Sequence, residues 1–218
     1  MERLVRPRNE TVTSAEPTRS TAFGQSGDPS PADRLGIWLS GYRVRKEVGA
    51  FANKTIGDFG CGYQAQFTRT VLDEVASATL VDVALAADLR ANPKVRAIEG
   101  KLPEALSDIA TDSLDVILCV SVLEHLWHPD VALAEFHRIL SPRGTCVVNV
   151  PSWRGKRFLE LSAFRLGLSP AEEMDDHKRY FDPRDLWPLL VQAGFLPHGI
   201  RCYRHKLGLN TFAACRNS

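Results

Sequence analysis

The pattern of hydrophobic and polar positions divides the chain into an N-terminal segment without periodicity and a long, regularly patterned remainder. Residues 1–32 are rich in Glu, Arg, Thr, Ser and Pro. Such a segment buries too little apolar surface to offset the conformational entropy that ordering would cost. We therefore predict a disordered tail over residues 1–32 and one folded domain over residues 33–218.

Short apolar runs alternate with helical patterns throughout the predicted domain. The predicted strands are Thr55–Phe59, Thr79–Val83, Val95–Ile98, Leu114–Val120, Gly144–Val150, Gly199–Tyr203 and Leu209–Cys215. The predicted helices are 33–53, 66–76, 84–90, 129–140 and 183–193. Pro188 lies inside the last of these, so we expect a kink there or a later start.

The order of these elements predicts the fold. Strands that alternate with helices form a largely parallel sheet that helices cover on both faces. The last two strands have no helix between them and should pair antiparallel. The predicted fold class is α/β: a Rossmann-like, seven-stranded, mostly parallel sheet with a C-terminal antiparallel strand pair.

Composition and charge narrow the classes of function. The 218 residues carry a formal net charge of +1, whereas nucleic-acid-binding domains are usually strongly basic. No apolar run is long enough to span a bilayer, and no secretory signal pattern is present. The five cysteines are scattered without a Cys-x-x-Cys pair, which is typical of free thiols in a reducing compartment. We expect a cytoplasmic protein with no nucleic-acid partner, no transmembrane segment and no metal.

The strongest local signal is a glycine turn after the first predicted strand. Gly60-Cys61-Gly62 follows Thr55–Phe59 and precedes a helical pattern, so a ligand can approach the backbone closely. The turn also fits the dinucleotide pattern G-x-G-x-x-G/A, which leaves a nicotinamide cofactor open. Asp58 favours a different ligand, because a carboxylate repels a pyrophosphate but accepts hydrogen bonds from an ammonium group. S-adenosylmethionine (SAM) has such an ammonium group and no phosphate.

A second carboxylate, Asp82, follows near the end of the next predicted strand. It lies 24 positions after Asp58, close to the spacing of about 20 residues at which an acidic residue binds ribose hydroxyls. The alternative is a structural role, since Asp is also favoured as a helix N-cap. Together, the two carboxylates predict a site for an adenosyl amino acid.

The order of several further motifs is more specific than any one of them. The motifs are Asp58–Gly62, Asp112–Leu126 with its Leu-Glu-His-Leu end, Leu140–Thr145, His177–Phe181 and Gln192–Phe195. In this order they resemble the class I SAM-dependent methyltransferases, in particular the small-molecule, type 11-like branch, over residues 55–215. Three positions depart from the family pattern: Gln64 and Arg143 replace glycines, and Lys101 replaces an acidic residue.

This resemblance implies that SAM is the cofactor and methyl donor. The cofactor-binding residues that we predict are Asp58, Gly60, Cys61, Gly62, Asp82, Val83, Leu102, Cys119 and Arg43. Val83 would pack against the adenine, and Arg43 would meet the carboxylate of the donor. With Lys101 in the place of an acidic residue, backbone groups or Glu104 would bind the adenine amino group.

Two histidines are the predicted catalytic residues. Methyl transfer from a sulfonium depends mainly on positioning, but a hydroxyl acceptor also needs a base, for which His is the usual choice. His125 follows the fourth strand, and His177 lies in residues 151–181, which we interpret as a lid over the acceptor site. His128 is a further candidate. The alternative for His125 is a structural role within its loop.

The predicted reaction is methyl transfer to a small-molecule or glycan acceptor, with oxygen as the favoured atom. The lid contains apolar residues (Trp153, Phe158, Leu161, Phe164 and Leu166) among basic ones (Arg154, Lys156, Arg157 and Arg165). The basic residues favour an anionic acceptor. Two alternatives stay open: a degenerate SAM-binding protein that regulates a partner, and a nicotinamide-dependent dehydrogenase.

Overall fold

The structure, a computed structural model, describes residues 21–25, 27, 31–158 and 177–217. At its centre is a seven-stranded sheet with the order β3-β2-β1-β4-β5-β7-β6. The strands are β1 (Thr55–Phe59), β2 (Ser77–Asp82), β3 (Val95–Glu99), β4 (Leu114–Val120), β5 (Leu140–Pro151), β6 (Ile200–His205) and β7 (Asn210–Arg216). β1 to β5 are parallel, and β7 pairs antiparallel with both β5 and β6. The predicted fold, including its C-terminal antiparallel pair, is confirmed.

Helices lie on both faces of this sheet. They are α1 (Pro31–Val48), α2 (Gln66–Arg69), α3 (Ala87–Arg90), α4 (Pro129–Ile139), α5 (153–158) and α6 (Pro183–Gln192). Within the described ranges, no helix is both long and apolar enough to cross a membrane.

Two apolar clusters, one on each face of the sheet, form the core. Phe136 of α4 and Leu190 of α6 belong to one cluster, and Ile56 of β1 and Phe212 of β7 belong to the other. Successive residues of a strand point to opposite faces. A strand that is buried on both faces is therefore apolar almost throughout, as Leu114–Val120 is, and its sequence does not show which face each side chain takes.

α1 ends earlier than predicted and exposes part of its apolar surface. It ends at Val48 rather than Asn53, because Gly49 adopts a left-handed conformation (φ 75°) that terminates the helix. Trp38 and Tyr42 stack on each other and are 64% and 62% exposed. The apolar positions of α1 therefore do not form a single buried face.

α2 is also shorter than predicted, ending at Arg69 rather than Ala76. After it, the amides of Thr70 and Val71 bond three residues back instead of four. The Thr70 hydroxyl donates to the Phe67 carbonyl at 2.8 Å. Such side-chain bonding to a nearby carbonyl competes with continued α-helix.

Two further boundaries differ from the sequence prediction. α3 begins three residues later than predicted, because Ala86 is extended (φ −60°, ψ 144°). β5 begins at Leu140, directly after α4, rather than at Gly144. Arg143 takes a left-handed conformation (φ 66°) in this added stretch, where an irregularity shifts the pairing with β4.

α6 begins at Pro183, as predicted, and continues through Pro188. The alternative of a later start is therefore wrong. The Asp185 carboxylate accepts a hydrogen bond from the Asp182 amide at 2.9 Å, which caps the first turn. The bounds of the other strands lie within two residues of the predictions.

Residues 21–25 fall within the predicted disordered tail but pack against the domain. The Phe23 carbonyl accepts a hydrogen bond from the Tyr63 amide at 2.9 Å, and Ala22 is buried. α1 also begins at Pro31, two residues before the predicted domain boundary. The predicted disorder is wrong for these residues, while residues 1–20 lie outside the described ranges.

Candidate active site

A cavity of about 910 Å³ lies along the carboxyl edge of the sheet. The tips of the parallel strands meet at this edge, and the turn between β6 and β7 joins them because β6 runs parallel to β5. In open α/β sheets, ligands bind at the carboxyl ends of the strands. This cavity is therefore the candidate active site.

The glycine turn between β1 and α2 lines one side of the cavity. Gly60 and Gly62 both take left-handed conformations, with φ of 75° and 74°. A side chain at Gly60 is also sterically excluded, because its Cβ would lie 2.3 Å from Cγ2 of Val122. Gln64, which replaces a family glycine, is exposed and accepts a hydrogen bond from Arg69 at 3.2 Å. The replacement of a family glycine by Gln64 therefore leaves room for a ligand to approach the backbone of the turn closely.

Asp82, at the tip of β2, is bonded directly to this turn. Its Oδ2 accepts a hydrogen bond from the Gly62 amide at 2.7 Å, and its Oδ1 accepts one from the Val83 amide at 2.8 Å. The N-cap of α3 is Ala86, so the capping role considered for Asp82 is not found. Each carboxylate oxygen has a second lone pair. Asp82 is thus held in place at the edge of the cavity.

Asp58, at the tip of β1, is a buried carboxylate with 6% of its surface exposed. Thr68 Oγ1 donates a hydrogen bond to its Oδ2 at 2.6 Å. Burial, offset in part by the Thr68 hydrogen bond and reinforced by the charge of Asp82, raises the pKa of Asp58 to about 6. At pH 7 the carboxylate is therefore charged but poorly solvated, so a cationic group in the cavity would stabilise it.

Seven of the nine predicted cofactor-binding residues line the cavity. They are Asp58, Gly60, Cys61, Gly62, Asp82, Val83 and Leu102. Lys101 lines the same cavity, whereas Glu104 lines a separate one of about 370 Å³. Of the two groups considered for the adenine amino group, only the backbone near Lys101 is therefore in position.

The other two predicted residues, Cys119 and Arg43, do not line the cavity. Cys119 is fully buried in the cluster that contains α4, because on β4 it points away from the face of Leu118, which does line the cavity. Burial raises the pKa of its thiol well above the usual value. The Arg43 guanidinium pairs with Glu47 at 3.0 Å and lies over the Tyr203 ring, 4.5 Å from the centroid. Arg43 is thus committed to the packing of α1 on β6.

His125 and His177 lie side by side, with ring centroids 4.8 Å apart, and both line the cavity. They meet because the chain after His177 returns to the tip of β4, where the Glu124 carbonyl accepts a hydrogen bond from the Lys178 amide at 2.8 Å. His128, the third candidate, is exposed and does not line the cavity. The structure therefore brings together the two histidines predicted to be catalytic.

The structure describes the two ends of the predicted lid, residues 151–181. The first end is tied to the β6–β7 turn, because Ser152 Oγ donates to the Gly208 carbonyl at 2.6 Å and accepts a hydrogen bond from the Gly155 amide at 3.0 Å. Gly155 lines the cavity. The predicted lid residues Leu161, Phe164, Arg165 and Leu166 lie outside the described residues.

Comparison with known proteins assigns the chain to a family. A family model described as a methyltransferase domain matches residues 42–197, well over half of the chain. The chain belongs to this methyltransferase domain family. The resemblance to class I SAM-dependent methyltransferases, inferred from the motifs, is confirmed.

Two curated relatives of this methyltransferase domain have matching names. A Mycolicibacterium smegmatis protein, named a probable S-adenosylmethionine-dependent methyltransferase, is 29% identical over 150 residues, covering 66% of this chain and 52% of the relative. A Mycobacterium tuberculosis protein with the same description is 24% identical over 192 residues, covering 85% of this chain and 65% of the relative. The chain therefore spans between about half and two thirds of the length of these relatives.

Solved methyltransferase structures have the same fold at low sequence identity. A SAM-dependent methyltransferase from Archaeoglobus fulgidus matches with a TM-score of 0.60 and 14% identity, covering 86% of this chain and 100% of that one. At this identity the likeness concerns the fold.

Lys206 is a charged residue of the cavity that the sequence analysis did not predict. Lys206 lies in the turn between β6 and β7 and reaches the cavity at the strand tips. Burial lowers the pKa of Lys206 to about 8, and the charge of Glu124 offsets part of that shift. Lys101 and Lys178 also line the cavity. The sequence around Lys206 has no motif, so only the sheet order reveals its position.

Glu124, His125 and His177 form a group with the chemistry of a metal site. One carboxylate oxygen and one nitrogen from each ring all lie within 4.8 Å of one another. Carboxylates and imidazoles are common ligands of divalent metals. The expectation of no metal rested on cysteine spacing, which cannot detect residues that distant segments bring together.

Proposed function

We propose that this protein transfers the methyl group of SAM to a hydroxyl oxygen of a small-molecule or glycan acceptor. The observation that carries the proposal is the placing of Asp58 and Asp82 on neighbouring strand tips of one cavity that His125 and His177 also line. The carboxylates suit a cationic donor, and the histidines suit a hydroxyl acceptor.

The carboxylate side matches the polar groups of the donor. Asp58 would accept a hydrogen bond from the ammonium group of SAM, which would compensate a poorly solvated charge. Asp82 would accept hydrogen bonds from the ribose hydroxyls, while the amides of Gly62 and Val83 hold it in place. Leu102 and Val83 supply apolar surface for the adenine.

In the proposed reaction, the acceptor oxygen attacks the methyl carbon in line with the carbon–sulfur bond. The oxygen–carbon bond forms, and the carbon–sulfur bond breaks with its electron pair remaining on sulfur. The hydroxyl proton leaves with assistance from the His125 and His177 pair. S-adenosylhomocysteine is the neutral-sulfur product. Since the sulfonium is a good leaving group, alignment of the two reactants supplies most of the rate.

We also infer that the acceptor carries a negative charge. Lys178 and Lys206 line the cavity together with the histidine pair. Arg154 lies beside the turn between β6 and β7, because a Cβ added at Gly208 in that turn would be 3.6 Å from Cδ of Arg154. A positive wall of this kind attracts an acceptor with a phosphate or carboxylate group.

A paired binding and turnover experiment tests the donor half of the proposal. Donor affinity is measured by calorimetry for the wild type, Asp58→Ala, Asp82→Ala and the control Asp73→Ala, whose side chain is exposed and outside the cavity. We expect each cavity variant to lose roughly 30-fold or more in affinity, as expected when one partner of a buried charge pair is removed. The control should match the wild type. Folded cavity variants that bind SAM as tightly as the wild type would contradict the proposal.

The acceptor half is tested by S-adenosylhomocysteine release against a panel of hydroxylated metabolites and glycans. The panel pairs each acidic compound with its neutral analogue. We expect S-adenosylhomocysteine release with at least one acidic compound and much less release with its neutral analogue. Tight donor binding without release on any acceptor would favour the alternative of a regulatory SAM-binding protein.

A further inference from the structure

We propose that Glu124, His125 and His177 bind a divalent first-row transition metal ion. The three residues line the cavity, and their candidate ligand atoms all lie within 4.8 Å of one another. Binding of the ion follows from this cluster alone. Its part in catalysis, described below, rests on the proposed function.

The composition of the cluster indicates which ions it would take. Two imidazoles and one carboxylate match zinc sites of the His₂Glu type and the two-histidine, one-carboxylate sites of iron enzymes. Magnesium and calcium prefer sites built mainly from oxygen ligands. The cluster therefore favours zinc, manganese, iron or cobalt over magnesium.

The distances allow an ion after small side-chain movements. Ligand atoms bound at about 2.1 Å around a tetrahedral ion are about 3.4 Å apart. The upper limit of 4.8 Å in the cluster is wider. The ligand atoms would therefore need to approach one another by up to about 1.4 Å, which small rotations of the imidazole side chains can supply. The two rings are already tilted at 55° with centroids 4.8 Å apart, so they do not stack flat against each other.

Hydrogen bonds and packing hold the members of the cluster in place, as the residues around a metal site usually hold its ligands. The Tyr180 hydroxyl lies 3.2 Å from Nδ1 of His177, so Nε2 of His177 would be the ligating atom. Tyr180 is itself buried and packs against the Trp153 ring at 5.6 Å. The Glu124 backbone is fixed by the Lys178 amide. Such outer contacts set the ring orientation of ligating histidines.

Some charges around the cluster favour the binding of a cation, and others oppose it. Glu124 supplies one negative charge and is buried, with 1% of its surface exposed. Lys206 interacts electrostatically with Glu124, and the Lys178 ammonium lies over the Trp127 ring, 5.3 Å from the centroid. Positive charge nearby weakens cation binding. We therefore expect moderate affinity, in the range of about 1–100 μM.

On the proposed function, the ion would bind the acceptor oxygen. A bound divalent ion lowers the pKa of an oxygen ligand, so the hydroxyl would release its proton to solvent at neutral pH. The resulting oxyanion would form the bond to the methyl carbon while the carbon–sulfur bond breaks. His125 and His177 would then act as metal ligands rather than as bases.

Metal binding is tested directly on the full chain after chelator treatment. Zn²⁺ and Mn²⁺ are each titrated by calorimetry into the wild type, His177→Ala, Glu124→Gln and the control His128→Ala. His128 is an exposed histidine close in sequence but outside the cavity. We expect one site in the wild type and in the control, and a loss of affinity of about tenfold or more in the two cluster variants.

Folding is checked by the affinity for SAM, which should stay within about twofold of the wild type in His177→Ala. That variant keeps the test decisive even if Glu124→Gln fails to fold, because His177 is only half-buried. Equal metal affinity in the wild type and His177→Ala would overturn the proposal. Absence of binding at millimolar Zn²⁺ and Mn²⁺ would overturn it as well.

Turnover measured with and without a chelator separates this inference from the proposed function. Loss of S-adenosylhomocysteine release with chelator, restored by Zn²⁺ or Mn²⁺, would support both. Metal binding at the cluster without turnover on any acceptor would support the site and contradict the proposed function. Turnover that survives chelator treatment, with no metal bound, would contradict the ion's part in catalysis and leave methyl transfer intact, while the titrations alone decide whether the site exists.

Discussion

The two sides of the cavity differ in how their functional groups are held. On the proposed donor side, Asp58 and Asp82 are fixed by hydrogen bonds of 2.6 and 2.7 Å from residues of the segment that joins their two strands. On the proposed acceptor side, His125, His177 and Lys206 come from three separate segments that meet at the strand tips. The donor side is thus built within one βαβ unit, whereas the acceptor side depends on the packing of three distant segments against one another. Changes on one side should leave the other side largely intact.

The largest effect is expected from Gly60→Ala on the donor side. The new Cβ would lie 2.3 Å from Val122 Cγ2 in a backbone with φ of 75°. Either the turn shifts or the domain loses stability, so we expect donor affinity to fall by about 100-fold or more, with a loss of several kcal/mol in stability. Calorimetry with SAM and thermal unfolding measure the two effects.

The double variant Gly60→Ala/Val122→Ala sharpens that result. It removes the clash but keeps the strained φ, so part of the donor affinity should return. A Gly60→Ala protein with the wild-type Kd for SAM would mean that the turn does not contact the donor.

The next largest effect is expected from His177→Ala on the acceptor side. Without one member of the histidine pair, kcat/KM should fall by about 100-fold or more, whether the pair acts directly or through an ion. The Kd for SAM should stay within about twofold, because donor contacts come from other strand tips. His128→Ala is the matched control and should retain full turnover. A parallel loss of donor affinity in His177→Ala would break the separation of the two sides.

A pH-dependent effect is expected from Asp58. Its pKa of about 6 in the empty protein means that protonation below pH 6 removes the charge that would meet the ammonium of SAM. Donor affinity in the wild type should therefore weaken by up to about tenfold for each pH unit below 6. Asp58→Asn should bind weakly with little pH dependence. Identical pH profiles for the two proteins would exclude a charge-dependent role for Asp58.

The same group makes the stability of the empty protein depend on pH. The folded pKa of Asp58 is raised from 3.8 to about 6, so the native state holds its proton more tightly. This contribution, up to about 3 kcal/mol, is fully present below pH 3.8 and is lost as the pH rises through 6. Denaturant unfolding at pH 5 and pH 7, compared between the wild type and Asp58→Asn, isolates it.

The smallest effect is expected from Lys206→Met. Burial lowers the pKa of Lys206 to about 8, so at pH 7 the native state contains a costly charge. Methionine should stabilise the empty protein by about 1–2 kcal/mol at pH 7, and this gain should disappear as the pH rises from 8 towards 10.5. The KM for an anionic acceptor should rise by about tenfold, with the Kd for SAM unchanged. A lower stability of Lys206→Met at pH 7 would contradict this account.

On the proposed donor side, seven of the nine residues predicted from the sequence line the cavity. Gly60, Gly62 and Asp82 lie close to strand ends, and strand ends can be recognised from short apolar runs. Cys119 was also predicted but does not line the cavity. Because β4 is buried on both faces, no polar position marks which of its residues face the cavity. The alternation along the strand, seen in the structure, places Leu118 there instead.

The acceptor side and the helix ends could be predicted only in part. Arg43 was expected to face the donor, but the rotation of α1 is set by its packing, including the close approach of Gly41 to the Phe67 ring. His177 was named from its motif, whereas its proximity to Glu124 depends on a backbone hydrogen bond between distant segments. Lys206 depends on the order of β5, β7 and β6. These are long-range contacts that local patterns do not encode.

The hydrogen bond from the Tyr63 amide to the Phe23 carbonyl has a consequence for cofactor exchange. Phe23 and Gly24 line the cavity, so residues 21–25 form part of the wall of the proposed donor site. A chain trimmed to Pro31 would keep its sheet but lose this wall. Trimming should therefore raise both the association rate and the dissociation rate of the nucleoside while changing the stability of the fold little.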